Sequence, residues 1–142
     1  MDFRFVALEQ WPGERTRFAG ASSFRADHSQ TLRLLDRELS YLRARNVVIQ
    51  ADCDRSQIRM DGMLYAGAKL RTAGIVLSFD SKHGPLSYPC DKYSNWQANL
   101  RAIALSLEAL RAVDRYGVTR RAEQYKGWAK LPPPPEIGRA HV

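Results

Sequence analysis

This chain has only two cysteines, Cys53 and Cys90, and they are not spaced as a CxxC pair. The three histidines, His28, His83 and His141, are scattered and show no zinc-ligand spacing. None of the nine glycines falls into GxGxxG or GxxxxGK. The backbone loops that cradle nucleotide phosphates are therefore missing. No apolar run approaches the ~20 residues that a membrane span requires. The opening MDFRFVALEQW is too short and too charged for a signal peptide. These absences make a cytoplasmic location the expectation, with both thiols reduced and partly buried. A disulfide would need the two Cα atoms within ~7 Å.

Acidic residues are also in deficit. Fifteen Asp and Glu face 22 Lys and Arg, a formal charge of +7. Such a surplus permits contact with nucleic acid or an acidic partner but does not require it. At 44% apolar and 26% charged, the 142 residues suit one soluble domain plus a tail. That length buries a real core without staples.

What is present is organised around Ser94 to Gly117, SNWQANLRAIALSLEALRAVDRYG. Ser94 with Gln97 three residues on reads as a capping box. Trp96, Leu100, Ile103, Leu107 and Leu110 recur at helical spacing. Interspersed alanines favour the helix, and Gly117 is placed to end it. The run predicts a rod of roughly 33 Å at ~1.5 Å per residue.

Upstream, residues 3–8 read as a short edge strand, Trp11-Pro12-Gly13 as a turn, and residues 13–28 as an ordered, irregular loop. A first helix begins near Asp27 or Ser29, where Asp27 and Gln30 form a second capping-box pattern. Leu32, Leu35, Leu39 and Leu42 make its apolar stripe, with Leu34 beside it. Arg33, Asp36, Arg37, Glu38, Arg43 and Arg45 occupy the remainder, and Asn46 ends it. Residues 47–53 read as a strand, and DRSQ at 54–57 as one capped turn. Asp61-Gly62 is a turn, and residues 62–73 are mostly loop. Residues 75–80 and 86–90 form a hairpin across Ser81-Lys82-His83-Gly84. Pro85 and Pro89 lack N–H donors and send the return strand to a sheet edge. A short helix from Thr119 to about Tyr125 follows the rod. Pro132 to Pro135 form a polyproline linker.

Chemistry is sparse. Asp52, Asp54, Ser56 and Asp61 faintly suggest a calcium loop. Its sixth and twelfth positions would be Gln57 and Met63 rather than Gly and an acid, so it is rejected. Cys90, His83 and Asp80 share one hairpin, but His83 lies in the turn and Cys90 at the far end of the strand, beyond hydrogen-bond reach. The remaining cluster is basic and aromatic. Arg111, Arg115, Arg120, Arg121, Lys126 and Lys130 interleave with Tyr116, Tyr125 and Trp128. Basic residues bind phosphate and aromatics stack on bases. The competing reading is a solvated helix end whose aromatics fold back over the core.

Three stretches, HGPLSYPCD (83–91), NWQANLRAIALSLEALRAVDRYGV (95–118) and TRRAEQYKGWAKLPPPP (119–135), resemble the N-terminal region of bacterial, often mobile-element-associated, J-domain (DnaJ-like) co-chaperones. The resemblance implies a proline-rich linker leading to a downstream J domain, whose His-Pro-Asp loop stimulates an Hsp70 ATPase. That tripeptide is not in this sequence. The resemblance therefore implies a targeting or adaptor module that would reach Hsp70 only through the J domain. The last residues, EIGRAHV, back-translate to a string resembling the start of a common sequencing-library adapter. Ile137 to Val142 and part of Glu136 are thus expected to be non-native, with the gene truncated after its linker.

The expectation is an α+β domain over residues 1–130, then a proline-rich linker and non-native tail over 131–142. The sheet is small and antiparallel, three or four strands in the order β-α-β-β-β-α, with two helices on one face and the long second helix at 94–116. Function is expected to be non-enzymatic, without metal or cofactor, as a protein-interaction adaptor. The alternative is a nucleic-acid-binding domain using Arg111, Arg115, Arg120, Arg121, Tyr125, Lys126, Trp128 and Lys130.

Overall fold

The computed structural model describes residues 3–118 and 122–129. Its elements are β1 (Phe3–Ala7), α1 (His28–Tyr41), β2 (Arg45–Ala51), a 3-10 turn (Arg55–Gln57), β3 (Ile75–Ser81), β4 (Gly84–Cys90), α2 (Trp96–Arg115) and the short α3 (Glu123–Lys126). The α+β class and the long second helix hold. Four strands lie in the order β1-β2-β3-β4.

One strand pairing departs from expectation. The sheet is mixed rather than antiparallel, because β1 runs parallel to β2. The cause is the connection. A helix returning the chain between two neighbouring strands makes them point the same way. The β2–β3 and β3–β4 pairs are antiparallel.

Helix α1 starts as its sequence predicts. The Asp27 carboxylate accepts from the Gln30 backbone at 2.8 Å, and Gln30 Oε1 accepts from the Asp27 backbone at 2.9 Å. The helix ends at Tyr41, and Arg43 turns left-handed (φ 52°). Asn46 is not the terminator. It adopts φ 55° at an irregularity in β2 between Arg45 and Val48, and donates to Asp80 Oδ2 at 2.9 Å. In α2 the cap is Asn95 rather than Ser94. Its Oδ1 accepts from Gln97 and Ala98. Asn95 is one residue nearer the first helical turn, the position from which a short side chain reaches those N–H groups.

The core lies between the helices and one sheet face. Leu34, Leu35 and Leu39 of α1 and Leu100, Ile103 and Leu107 of α2 meet Val47, Ile49, Ile75, Leu77, Phe79, Leu86 and Tyr88. Each such side chain contributes about 1.5–3 kcal/mol on burial. Glu38 corrects the surface assignment made from sequence, since it is only 1% exposed. Its position beside Leu35, Leu39 and Leu42 on the helical wheel already places it at the seam.

Both sheet edges are closed. On the β1 side, Phe5 N–H donates to Gly62 O at 2.6 Å. Gly62 has φ +87°, and a Cβ there would stand 2.8 Å from Arg4 Cβ, so both the turn and the close approach need glycine. On the β4 side, Ser87 N–H donates to Trp128 O at 3.0 Å. Alternate residues aim their N–H groups the same way. Pro85 and Pro89 thus lack a donor only on this outer edge, where the sequence places them. The hairpin turn is two residues, Lys82-His83, rather than four, and closes on Gly84 at φ +95°. No described helix is long and apolar enough to cross a membrane.

Candidate functional site

Three of the eight basic and aromatic candidates, Arg111, Tyr125 and Trp128, are engaged within the fold. Arg111 Nε donates to Glu38 Oε1 at 2.7 Å and its terminal nitrogen to Oε2 at 3.1 Å. Its guanidinium also lies 4.0 Å over the Tyr41 ring. Tyr125 is 2% exposed and stacks on His83 with centroids 4.8 Å apart. Burial, reinforced by Asp114, pushes its phenol pKa up. Trp128 stacks on Tyr88 at 4.9 Å, and Tyr88 stacks on Phe79 at 5.9 Å. These rings fold back as a lid over the β4 end of the core. Arg115 and Lys126 are exposed. Arg120, Arg121 and Lys130, and the expected helix start at Thr119, lie outside the described residues. A cleft of about 320 Å3 brings Lys82 of the hairpin turn beside Arg111, Arg115 and Asp114.

The hairpin trio is dispersed. Ile75 pairs with Cys90 and Ser81 with Gly84, so Cys90 and His83 occupy opposite ends of the ladder. Cys90 Sγ donates to Asn99 Oδ1 at 3.4 Å, and burial raises its thiol pKa. Asp52 and Asp54 both pair with Arg71, and Asp52 Oδ2 also accepts from Thr72 Oγ1 at 2.9 Å. They lock the loop that enters β3. Among the described residues, no group of three or more His, Cys, Asp or Glu is placed to hold a metal ion.

Asn99 is the buried polar centre that sequence reading missed. It is 0% exposed. Its Nδ2 donates to Ala73 O at 2.7 Å and Tyr93 O at 3.0 Å, and its Oδ1 accepts from Tyr93 N–H at 2.9 Å. One amide thus ties the loop before β3 and the link after β4 to α2. The available signal was its position next to Leu100 and one turn before Ile103, on the apolar stripe.

The sheet face turned away from the helices is different in kind. By alternation and register it carries Arg4, Val6, Val48, Gln50, Val76, Ser78, Asp80, Pro85, Ser87 and Pro89. Its middle is uncharged and flanked by Arg4 and Asp80; Val76 and Ser78 are buried, and Val6, Val48, Gln50, Ser87 and Pro89 are half-buried. Two depressions, of about 590 Å3 and about 480 Å3, meet there at Gln50. Arg55 and Ile58 border the first, and Gln10, Pro12 and Trp128 border the second.

No protein-family model matches the chain, and neither does any curated protein or solved structure.

Proposed function

We propose that this domain is a non-catalytic, cytoplasmic protein-interaction module, the adaptor part of a J-domain-type co-chaperone. One observation carries the interaction half of this reading: the sheet face away from the helices holds two adjoining depressions lined in part by Val6, Val76 and Pro89, while both edges are closed. Exposed edges invite indiscriminate strand pairing, and here Gly62 and Trp128 occupy them. Binding is then directed to the face, where Val6, Val48 and Pro89 lose little on desolvation. The co-chaperone half rests on the resemblance of residues 83–135 alone. It requires a J domain encoded in the same polypeptide.

The test uses the gene's unbroken reading frame. Its product should stimulate an Hsp70 ATPase, and Val48→Lys should abolish client capture while leaving that stimulation intact. A product without Hsp70 binding removes the co-chaperone half. Client capture unchanged by Val48→Lys removes the sheet face.

A second reading, nucleic-acid binding, draws support from the cleft that gathers Lys82, Arg111 and Arg115. With Arg111 and Tyr125 engaged elsewhere, Arg115, Lys82 and Lys126 would carry it alongside Arg120 and Arg121. It requires binding that weakens steeply with salt and is lost in Arg120→Glu with Arg121→Glu. Absence of a mobility shift at low salt disposes of it.

A further inference from the structure

The helix N-termini frame a recess that neither reading uses. His28 opens α1, and Trp96 and Gln97 open α2. Together with Phe5 and the loop from Arg59 to Ala68 they enclose about 360 Å3. The loop is a built wall. Arg59 N–H donates to Met63 O at 2.7 Å, Tyr65 N–H to Gln57 O at 3.0 Å, and Ala68 N–H to Tyr65 O at 3.0 Å. Phe5 N–H anchors the loop through Gly62 O. The recess therefore does not depend on a mobile flap.

Its lining combines three kinds of chemistry. Trp96, Tyr65 and Met63 offer flat, polarisable surface. Arg59 brings a cation. Among the described residues one of its terminal nitrogens pairs with Asp61 at 2.8 Å, and the side chain is 51% exposed, so the guanidinium can also turn fork N–H groups to an anion. His28 sits edge-on to Trp96 with centroids 5.1 Å apart. Its Nδ1 is buried and has no hydrogen-bond partner among the described residues. Burial lowers the His28 pKa below its ordinary 6.5 despite the neighbouring Asp27, so the ring is neutral near pH 7.5. A neutral imidazole can accept a hydrogen bond as well as donate one.

We propose that this recess binds a small planar aromatic carboxylate, its rings against Trp96 and Met63 and its carboxylate on Arg59. The volume lies near the lower end of the ~300–1,000 Å3 usual for ligand pockets, which limits the occupant to one or two rings. The site is separate from the outer sheet face, so the proposal stands or falls independently of the adaptor reading.

Indole-3-acetate, titrated into the full chain at pH 7.5 and followed by proton–nitrogen correlation NMR, tests it. Saturable shifts are expected at the Trp96 indole N–H and the backbone of residues 66–68. Indole-3-ethanol, which lacks the carboxylate, should bind about tenfold more weakly. Arg59→Gln should remove that difference. Ala66→Phe fills the recess from an exposed loop position and should abolish both while the melting temperature holds. The proposal is overturned if no saturable shift appears by ~5 mM, if the shifts map elsewhere, or if the alcohol binds as tightly as the acid.

Discussion

Arg111 on α2 and Glu38 on α1 form a two-pronged ion pair, with Nε 2.7 Å from Oε1 and a terminal nitrogen 3.1 Å from Oε2. The carboxylate is 1% exposed, so the two helices are joined by a charge that water does not reach. Arg37 adds a longer contact to Oε2 at 3.3 Å, and reaches Glu108 of α2 at 2.7 Å. Two ion pairs thus cross the apolar seam between the helices, the buried Glu38–Arg111 and the more exposed Arg37–Glu108.

Removing only Arg111 should cost more than removing both partners. Arg111→Leu leaves a buried carboxylate with Arg37 as a partial substitute, and the expected loss is about 3 kcal/mol, the lower end for a broken buried pair. Glu38→Leu with Arg111→Leu should lose less, because no charge is stranded. Urea midpoints measure both. A double variant less stable than the single one contradicts this account.

Asn99→Leu keeps most of the volume and deletes the amide. The Ala73 and Tyr93 carbonyls and the Tyr93 N–H would be left without their partner. At about 1–3 kcal/mol for each buried group left unpaired, with some relaxation, a loss of roughly 2–4 kcal/mol is expected. Asn99→Asp retains the acceptor but loses both donors and should fare no better. A loss under ~0.5 kcal/mol in chemical denaturation would show that Asn99 is incidental.

His28 makes stability depend on pH in a known direction. Burial lowers its folded pKa below the ordinary 6.5. Between those two values the unfolded chain binds the extra proton, so stability rises with pH across that interval. The contribution is complete above pH 6.5 and is lost as pH falls toward the folded pKa. The melting-temperature difference between the parent and His28→Gln should therefore shrink from pH 7.5 to pH 5. A difference that is flat or grows refutes this.

Both thiols should be slow nucleophiles. Burial raises the pKa of Cys53 and of Cys90, and the thiolate is the reactive form. Iodoacetamide at pH 8 should label the folded chain at least ~10-fold more slowly than a cysteine peptide, and at the peptide rate in denaturant. Labelling of Cys90 at the peptide rate in the folded state would reopen cysteine chemistry at the hairpin.

Local patterns were legible because they depend on near neighbours. The Asp27–Gln30 box, the leucine stripe of α1, the length of α2 and the edge placement forced by Pro85 and Pro89 all follow from interactions within a few residues. Where a local signal misled, a neighbour competed. Asn95 is closer to the first α2 turn than Ser94, and Arg43 turned left-handed before Asn46 was reached. The basic segment was visible as a string of residue types. Its partners were not, since Glu38 and Tyr41 lie about 70 positions from Arg111, and residue types alone cannot separate a phosphate contact from a helix-to-helix fastening.

By itself, then, the sequence determined the elements and their order, because caps, periodicity and missing N–H donors act at short range along the chain. Only the tertiary structure decided that β1 lies parallel to β2, that Asn99 and Glu38 are sealed inside, that Gly62 and Trp128 close the edges, and that His28, Arg59 and Trp96 share a recess. Each of these joins residues far apart in the chain. Such a pairing is set by which surfaces meet when water is expelled, and no single stretch of sequence carries that information.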